Sequence, residues 1–213
     1  MDADKLVYLK RSNYLGLTSK DYLIICGDTG ITWNIPFREE ILRVLFDEFP
    51  CTVLFVDGNH ENFDILNSYP ISVWNNGKVH FISSNVIHLL RGQVFDINGF
   101  KIFSFGGAKS TDRASSSEFW WKEELPSDLE YSEGLENLYK YRNSVDLIVS
   151  HDGPEFILKR LKIPKRSQSP QMTSYFSYLY QNVKFSNWVF GHHHVDANYD
   201  KYFCMFNRIM KIL

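Results

Sequence analysis

The hydrophobic pattern of the chain contains four short apolar runs of similar length. They cover residues 23–25, 52–56, 147–149 and 188–190. A continuous apolar run of this kind, bounded by turn residues, is typical of a strand that is buried on both faces. The pattern therefore predicts four buried strands in an α/β fold.

Polar residues with metal-binding side chains follow each of these runs. In open α/β sheets, ligands bind beyond the carboxyl ends of the strands. If the four strands lie side by side, one mixed oxygen and nitrogen site forms from Asp28, Asn59, His151, His192 and His194. Carboxylate, amide and imidazole ligands suit manganese, iron or zinc, and the lack of cysteine at these positions argues against a structural zinc site.

Helices are predicted between and after these strands. The pattern favours helices over residues 2–13, 37–48, 61–67, 127–141, 154–161 and 173–181. Glu130 follows Ser127 by three positions, which indicates a capping box at the start of the helix over 127–141. The alternation of strand and helix implies right-handed parallel crossovers.

Short β runs with little helix between them follow Pro70. Residues 79–82, 86–90, 93–97 and 100–105 predict an antiparallel meander. Asn98-Gly99 is a strong hairpin signal, because both residues accept the positive φ of a type I′ turn. Arg91-Gly92 predicts a second turn. Residues 197–199 and 202–209 predict a closing hairpin around Asp200-Lys201.

A long segment without regular pattern covers residues 106–126. A structureless loop of this length inside a compact domain is usually functional. Arg113 on this loop could hold a substrate phosphate with two hydrogen bonds, or it could be a solvated charge. Trp120 and Trp121 could stack on an aromatic group of the substrate, but an aromatic plug of the core is the favoured interpretation.

Composition narrows the class of protein. The chain has 213 residues, of which 44% are hydrophobic, and we expect one globular domain over residues 1–213. The net charge of −2 gives no overall positive charge that would favour binding to nucleic acid. Three cysteines, an odd number, predict free thiols and a cytoplasmic location. The sequence shows neither a charged-then-apolar leader at Met1 nor an apolar run of about eighteen residues, so we do not expect secretion or a membrane span. The oligomeric state stays open.

Four motifs resemble those of the calcineurin-like metallophosphoesterases, with the closest likeness to small bacterial and phage-type members. They are Gly-Asp-Thr-Gly at 27–30, Gly-Asn-His-Glu at 58–61, the lone His151, and Gly-His-His-His at 191–194. The resemblance implies a four-layer α/β/β/α sandwich with mixed parallel and antiparallel sheets. It also implies hydrolysis of a phosphomonoester or phosphodiester of unknown class by a metal-bound hydroxide.

The resemblance also assigns roles to single residues. Asp28 would bridge two divalent metal ions, and His60 would protonate the leaving oxygen. The second metal would be completed by Asn59, His151 and His192, whereas His194 would belong to the first. Manganese is the expected metal, with iron and zinc as alternatives.

One motif of that family, the Asp-x-His at the end of its first strand, is absent. Asp2-Ala3-Asp4 is the only acidic pair near the start. We expect that the chain begins just after the missing strand and that the first metal site is incomplete. Two alternatives to an active dinuclear enzyme follow: a degenerate member that binds one metal without turnover, and a mononuclear zinc hydrolase.

Residues near the motifs have alternative interpretations. Asp57 and Glu61 could orient the site. The favoured interpretation is that Asp57 caps the following helix and that Glu61 lies in its first turn, where negative charge is favourable. His193 should point to solvent if its segment is extended. His80 and His88 are predicted to be ordinary strand residues, and Trp33 is predicted to cap the core.

Overall fold

A computed structural model describes residues 16–32, 44, 46–110, 120–164 and 168–212. Several predicted features lie outside these residues: the helix over 2–13 with Asp2 and Asp4, Trp33, most of the helix over 37–48, and Arg113. These predictions are therefore not tested by the structure.

The described chain forms two mixed β-sheets with helices. The strands are β1 (Tyr22–Ile25), β2 (Thr52–Phe55), β3 (Ile71–Trp74), β4 (Gly77–Phe81), β5 (Val86–Leu89), β6 (Gln93–Ile97), β7 (Phe100–Phe105), β8 (Leu147–Ser150), β9 (Asn187–Phe190), β10 (Ala197–Tyr199) and β11 (Tyr202–Cys204). The helices are α1 (Phe63–Leu66), α2 (Asp128–Lys140), α3 (Glu155–Arg160) and α4 (Pro170–Asn182), with a short 3₁₀ turn at Lys122–Glu124. Among the described helices, none has both the length and the apolar character needed to cross a bilayer.

Each sheet combines parallel and antiparallel pairs. The first sheet has the order β1-β2-β5-β4-β3, in which β1, β2 and β5 are parallel. The second has the order β10-β11-β9-β8-β7-β6, in which β11, β9, β8 and β7 are parallel. Together with the helices, the two sheets confirm the predicted α/β sandwich.

The sheets pack face to face through one apolar cluster. Leu54 and Val56 of the first sheet share this cluster with Leu147 and Val149 of the second. The opposite faces are covered as well, because Val53 and Phe55 contact α1 whereas Ile148 packs with residues of α4. Burial on both faces explains why these strands read as continuous apolar runs rather than as alternating patterns.

The four apolar runs do not lie side by side in one sheet, so the condition stated for a common site is not met in that form. The first two runs form β1 and β2 of one sheet, whereas the last two form β8 and β9 of the other. The predicted meander is divided in the same way, because the turn at Arg91-Gly92 leads from β5 of the first sheet to β6 of the second. An apolar run predicts burial on both faces, but it carries no information about which sheet the strand joins.

Local predictions agree better with the structure. Asn98 and Gly99 have φ values of 54° and 90°, as a type I′ turn requires. The capping box of α2 is present, because the Ser127 hydroxyl accepts from the Glu130 amide and the Glu130 carboxylate accepts from the Ser127 amide. The closing hairpin is shorter than predicted, since β11 ends at Cys204.

The sequence pattern missed β3. This strand precedes a turn at Asn75 and Asn76, whose φ values of 45° and 73° are both positive. Ile71 and Val73 are 63% and 75% exposed, whereas Ser72 and Trp74 on the other face are half-buried, so the aliphatic residues of this strand do not mark its inner face. The asparagine pair was the available signal, because asparagine tolerates the left-handed conformation that such turns need.

Candidate metal centre

The carboxyl ends of β1, β2 and β8 bring three predicted metal ligands into contact. The Nε2 atom of His151 lies 3.4 Å from Oδ2 of Asp28 and 3.1 Å from Oδ1 of Asn59. The other oxygen of Asp28, Oδ1, accepts a hydrogen bond of 2.9 Å from the backbone amide of His60. Loops from two different sheets therefore meet at one point.

Glycines allow these loops to approach so closely. A Cβ atom on Gly58 would overlap the carboxylate of Asp28, and one on Gly27 would overlap the ring of His151. Gly27 also has a φ of 90°, which a side chain would disfavour. The Gly-Asp and Gly-Asn-His sequences thus place the two ligand loops in contact through their glycines.

The orientation of the His151 ring is set by its other nitrogen. Nδ1 lies 2.5 Å from the backbone carbonyl of Cys26 and donates a hydrogen bond to it, so that Nε2 faces Asp28 and Asn59. Burial opposes a charge on His151, but the negative charge of Asp28 and these hydrogen bonds outweigh it and raise the pKa of His151 to about 9. Burial likewise opposes the ionised form of Asp28, but the charge of His151 outweighs it and lowers the pKa of Asp28 well below its usual range.

His192 is a fourth donor beside this group. Its ring centroid lies 5.1 Å from that of His151. Its Nε2 atom is buried and has no hydrogen-bond partner among the described residues. Burial, with a further contribution from the charge of His151, lowers the pKa of His192 to about 3. The ring is therefore neutral, as a metal ligand must be.

The donors fit a divalent metal in kind and in spacing. Donor atoms bonded to one ion at about 2.1 Å stand roughly 3.0–3.4 Å apart. The distances from His151 Nε2 to Asn59 Oδ1 and to Asp28 Oδ2 fall in this range. Within the described residues, however, no group of three His, Cys, Asp or Glu side chains is arranged to hold a metal ion. A metal here would thus need the Asn59 amide as a ligand in addition to Asp28, His151 and His192.

Two further predicted site residues, among those that the structure describes, are exposed. His60 is exposed and follows Asn59 directly. His194 is also exposed, and its ring stacks on Phe206 with a centroid distance of 5.0 Å. The structure thus brings Asp28, Asn59, His151 and His192 together, places the His60 backbone on Asp28, and places His194 against the C-terminal segment.

A family model for calcineurin-like phosphoesterases matches residues 4–196 of the 213-residue chain. This chain belongs to the calcineurin-like phosphoesterase family. Members of the family generally use divalent metals. Membership therefore indicates metal-dependent hydrolysis of phosphoesters. No curated protein sequence matches the chain.

The prediction for His193 in this phosphoesterase is wrong. The side chain is buried rather than solvated, and its Nε2 atom lies 2.9 Å from Oδ1 of Asp152. The prediction assumed an extended segment, but His192 and His194 have φ values of 63° and 55°. In this left-handed conformation the alternation of an extended strand does not apply.

The helix-capping interpretation of Asp57 is also wrong, because Asn62 caps α1. Asp57 is buried and accepts hydrogen bonds from Nε and Nη2 of Arg91, at 2.9 and 2.5 Å. His88 Nε2 lies 3.3 Å from the same carboxylate, and His80 lies 3.2 Å from His88. His80 and His88 are strand residues, as predicted, but they belong to a buried polar chain.

The predicted position of Glu61 in the first turn of the helix is wrong, because α1 begins at Phe63. Its buried carboxylate accepts hydrogen bonds from the backbone amide of Thr29 at 2.9 Å and from the hydroxyls of Thr29 and Thr32 at 3.3 Å. Burial, followed by the negative charge of Asp28, raises the pKa of Glu61 to about 7. Glu61 thus ties the Gly-Asn-His-Glu motif to the loop that follows Asp28.

The sequence analysis missed Ser110 and Glu124. The Asn59 side-chain amide donates to Oγ of Ser110 at 3.0 Å, and Ser110 donates to the fully buried carboxylate of Glu124. These contacts turn the Asn59 oxygen towards His151. Position on the long loop was the only signal for Ser110. Trp121 on the same loop packs against the core, as predicted for a plug, whereas Trp120 is 38% exposed.

Proposed function

We propose that this phosphoesterase hydrolyses a phosphomonoester or phosphodiester with divalent metal held by Asp28, Asn59, His151 and His192. The observation that carries the proposal is the approach of His151 Nε2 to Asn59 Oδ1 and Asp28 Oδ2, at 3.1 and 3.4 Å. This approach joins ligand types from two sheets at the carboxyl ends of parallel strands, where α/β folds bind their ligands.

Bound divalent metals supply Lewis-acid stabilisation of charge on the phosphate and an activated water. The residues of the chain supply the frame. Asp28 offers two oxygens that face different neighbours, His60 and His151, which suits a bridging carboxylate. Asn59 and the neutral His192 add donors without adding charge.

His60 is the proposed proton donor. Its backbone amide donates to Asp28, and the residue itself is exposed to solvent, so its side chain can reach a bound substrate. An imidazole in this position can give a proton to the departing oxygen, a contribution that is typically about 10²–10⁴-fold in rate.

The finer features of the proposal concern the metals and the surroundings. We propose two divalent ions, with manganese preferred over iron or zinc, and His194 as a ligand of the first, whose site is otherwise incomplete in this chain. Arg113 is proposed to hold the substrate phosphate. The cysteines Cys26, Cys51 and Cys204 are free thiols, which supports a cytoplasmic location.

A second candidate function is binding of a single metal without turnover. The observation that favours it is the grouping of Asp28, Asn59, His151 and His192 into one cluster, whereas His194 stacks on Phe206. Metal stoichiometry distinguishes the two candidates. Elemental analysis after soaking in excess manganese and desalting should give two ions per chain for the dinuclear enzyme and one for the binding module.

Replacement of His60 tests the proposed reaction. We expect His60→Ala to lower kcat for p-nitrophenyl phosphate or its bis ester by at least about 10²-fold while metal content is unchanged. Lys20→Ala, an exposed change at the opposite end of β1, is the control and should retain full activity. Loss of the metal in His60→Ala would show that His60 is a ligand rather than an acid.

Replacement of Asp28 tests the metal assignment. Asp28→Asn keeps the size of the side chain but removes the charge and one oxygen donor. We expect most metal affinity to be lost, as measured by isothermal titration calorimetry with manganese. An unchanged metal content in this variant would exclude the bridging role.

A further inference from the structure

We propose that the buried Asp152–His193 pair is a positioning device that holds the loop carrying His192 and His194 against the loop carrying His151. The inference rests on the metal site proposed above, and the role assigned to the pair is neither that of a metal ligand nor that of a proton donor. Its action would be exerted through the three histidines that are adjacent to it in sequence.

The pair connects the ends of two neighbouring strands. Asp152 lies two residues beyond the end of β8 and is fully buried, whereas His193 lies three residues beyond β9 and is 5% exposed. His193 Nε2 lies 2.9 Å from Asp152 Oδ1. Because a carboxylate only accepts hydrogen bonds, Nε2 of His193 carries the hydrogen. A second link between the same loops is the backbone hydrogen bond of 2.9 Å from Gly191 N to His151 O.

The loop that His193 anchors is strained on both sides of it. His192 and His194 have positive φ values of 63° and 55°, and neither is a glycine. Such conformations persist only where the surrounding structure holds them in place. His193 lies between the two strained residues and makes the buried side-chain hydrogen bond, so it is placed to hold both of its neighbours.

Asp152 is itself fixed from several directions. Oδ1 also accepts from the backbone amide of Gly153 at 2.7 Å, and Oδ2 accepts from the side-chain amide of Gln168 at 2.9 Å. A Cβ atom on Gly153 would overlap the ring of Phe190 at the end of β9, so only glycine permits this approach. These contacts hold the Asp152 carboxylate in place independently of His193.

Removal of the hydrogen bond should release the strained loop. His193→Phe keeps an aromatic ring in the buried position but has no donor. His193→Gln restores an amide donor at a similar distance from the backbone. Loss of a group that orients a ligand typically lowers metal affinity about 10–100-fold. We expect this loss for manganese in His193→Phe, measured by titration calorimetry, and recovery to within about 3-fold of wild type in His193→Gln.

A core variant separates positioning from general stability. Leu179→Ala removes a buried side chain of α4 in the apolar cluster that covers the same sheet. It should lower the melting temperature at least as much as His193→Phe but leave manganese affinity unchanged. Equal affinities of wild type and His193→Phe, or equal losses in His193→Phe and Leu179→Ala, would overturn the inference.

Hydrogen exchange of the metal-free chain tests the same inference without metal. Backbone amides of residues 191–194 should exchange at least tenfold faster in His193→Phe than in wild type and return to the wild-type rate in His193→Gln. Unchanged exchange in His193→Phe would overturn the positioning role. If wild type bound no manganese, the proposed function would fall, whereas the exchange experiment would still decide the role of this pair.

Discussion

At the scale of single residues, the Asp28–His151 contact determines how the site would respond to metal. The two side chains satisfy each other, since the negative charge of Asp28 outweighs burial and raises the pKa of His151 to about 9. At neutral pH the metal-free imidazole is therefore protonated. A metal must displace this proton, because a histidine binds metal only in its neutral form.

Metal affinity should therefore rise with pH. Below pH 9, each unit of increase in pH makes loss of the His151 proton easier, so the apparent affinity for manganese should rise by at least about tenfold per unit. His192, with a pKa lowered to about 3 by burial and by the charge of His151, is already neutral and should add nothing to this dependence. Calorimetric titration at pH 6, 7 and 8 in buffers of different ionisation enthalpy measures both affinity and proton release.

The His60→Ala variant is the control for this dependence. Because His60 is not proposed as a ligand, the variant should show the same slope of affinity against pH as wild type. An affinity that stays constant between pH 6 and 8 would contradict the protonated state of His151 in the metal-free chain.

At the scale of elements, the end of β2 is held by the turn between β5 and β6. Asp57 at the end of β2 pairs with Arg91 of the turn, and Arg91 also donates to the backbone carbonyl of Glu123 at 2.7 Å. The backbone carbonyl of Asp57 accepts from Gly107 at 2.9 Å. Three segments that are distant in sequence therefore support the strand end that leads into Asn59.

Removal of Arg91 should be far more costly than removal of a surface cation. Arg91→Met leaves the buried Asp57 carboxylate without its main partner, which should lower the free energy of unfolding by about 3–5 kcal/mol. Lys78→Met is the matched control. It breaks a surface ion pair with Glu133 and should cost about 0–1 kcal/mol. Urea denaturation at pH 7 measures both.

A double variant checks the cause of this loss. Burial opposes the ionised form of Asp57, but Arg91 outweighs it and holds the pKa of Asp57 well below its usual range. The stabilisation is therefore present above pH 4 and is lost only as the pH falls further. The double variant Arg91→Met with Asp57→Asn should regain part of the stability that Arg91→Met alone loses. If the double variant lost as much stability as the sum of the two single losses, an uncompensated charge would not be the cause.

At the scale of the whole molecule, the candidate site lies where the two sheets meet. Asp28 and Asn59 follow strands of the first sheet, whereas His151 and His192 follow strands of the second. A metal bound to both pairs would link the two halves of the sandwich. The prediction that residues 1–213 form one domain is not tested by the structure and stays a prediction.

Metal should therefore stabilise the entire fold rather than one loop. A ligand that binds only the folded state at 100 times its Kd adds about 2.7 kcal/mol of stability. For a chain of this size, the corresponding rise in Tm is roughly 5–10 °C. Calorimetric melting of wild type with manganese and with EDTA measures the rise, and Asp28→Asn should abolish it.

The capping variant Ser127→Ala is the control for metal-linked stability. It removes the N-cap of α2 and should cost about 1 kcal/mol without affecting the site. The increase in Tm on addition of manganese should be the same in this variant as in wild type. An increase that is smaller in Ser127→Ala than in wild type would mean that metal does not act on the native state alone.

Local features of this protein could be predicted from the sequence. The apolar runs predict the buried strands, because a strand covered on both faces needs no polar positions. Asn98-Gly99 and the Ser127–Glu130 spacing predict a turn and a helix start, because each depends on a few consecutive backbone groups. The four motifs indicate the family, and the matching family model confirms it.

The tertiary structure decided which of these elements meet. The division of the apolar runs between two sheets depends on packing between strands, about which each run by itself carries no information. Asp57 and Arg91 are 34 positions apart and Asp152 and His193 are 41 apart. Neither partner of such a pair has a local pattern that marks it, because a buried charge is satisfied by whatever group the fold brings within reach of its oxygens.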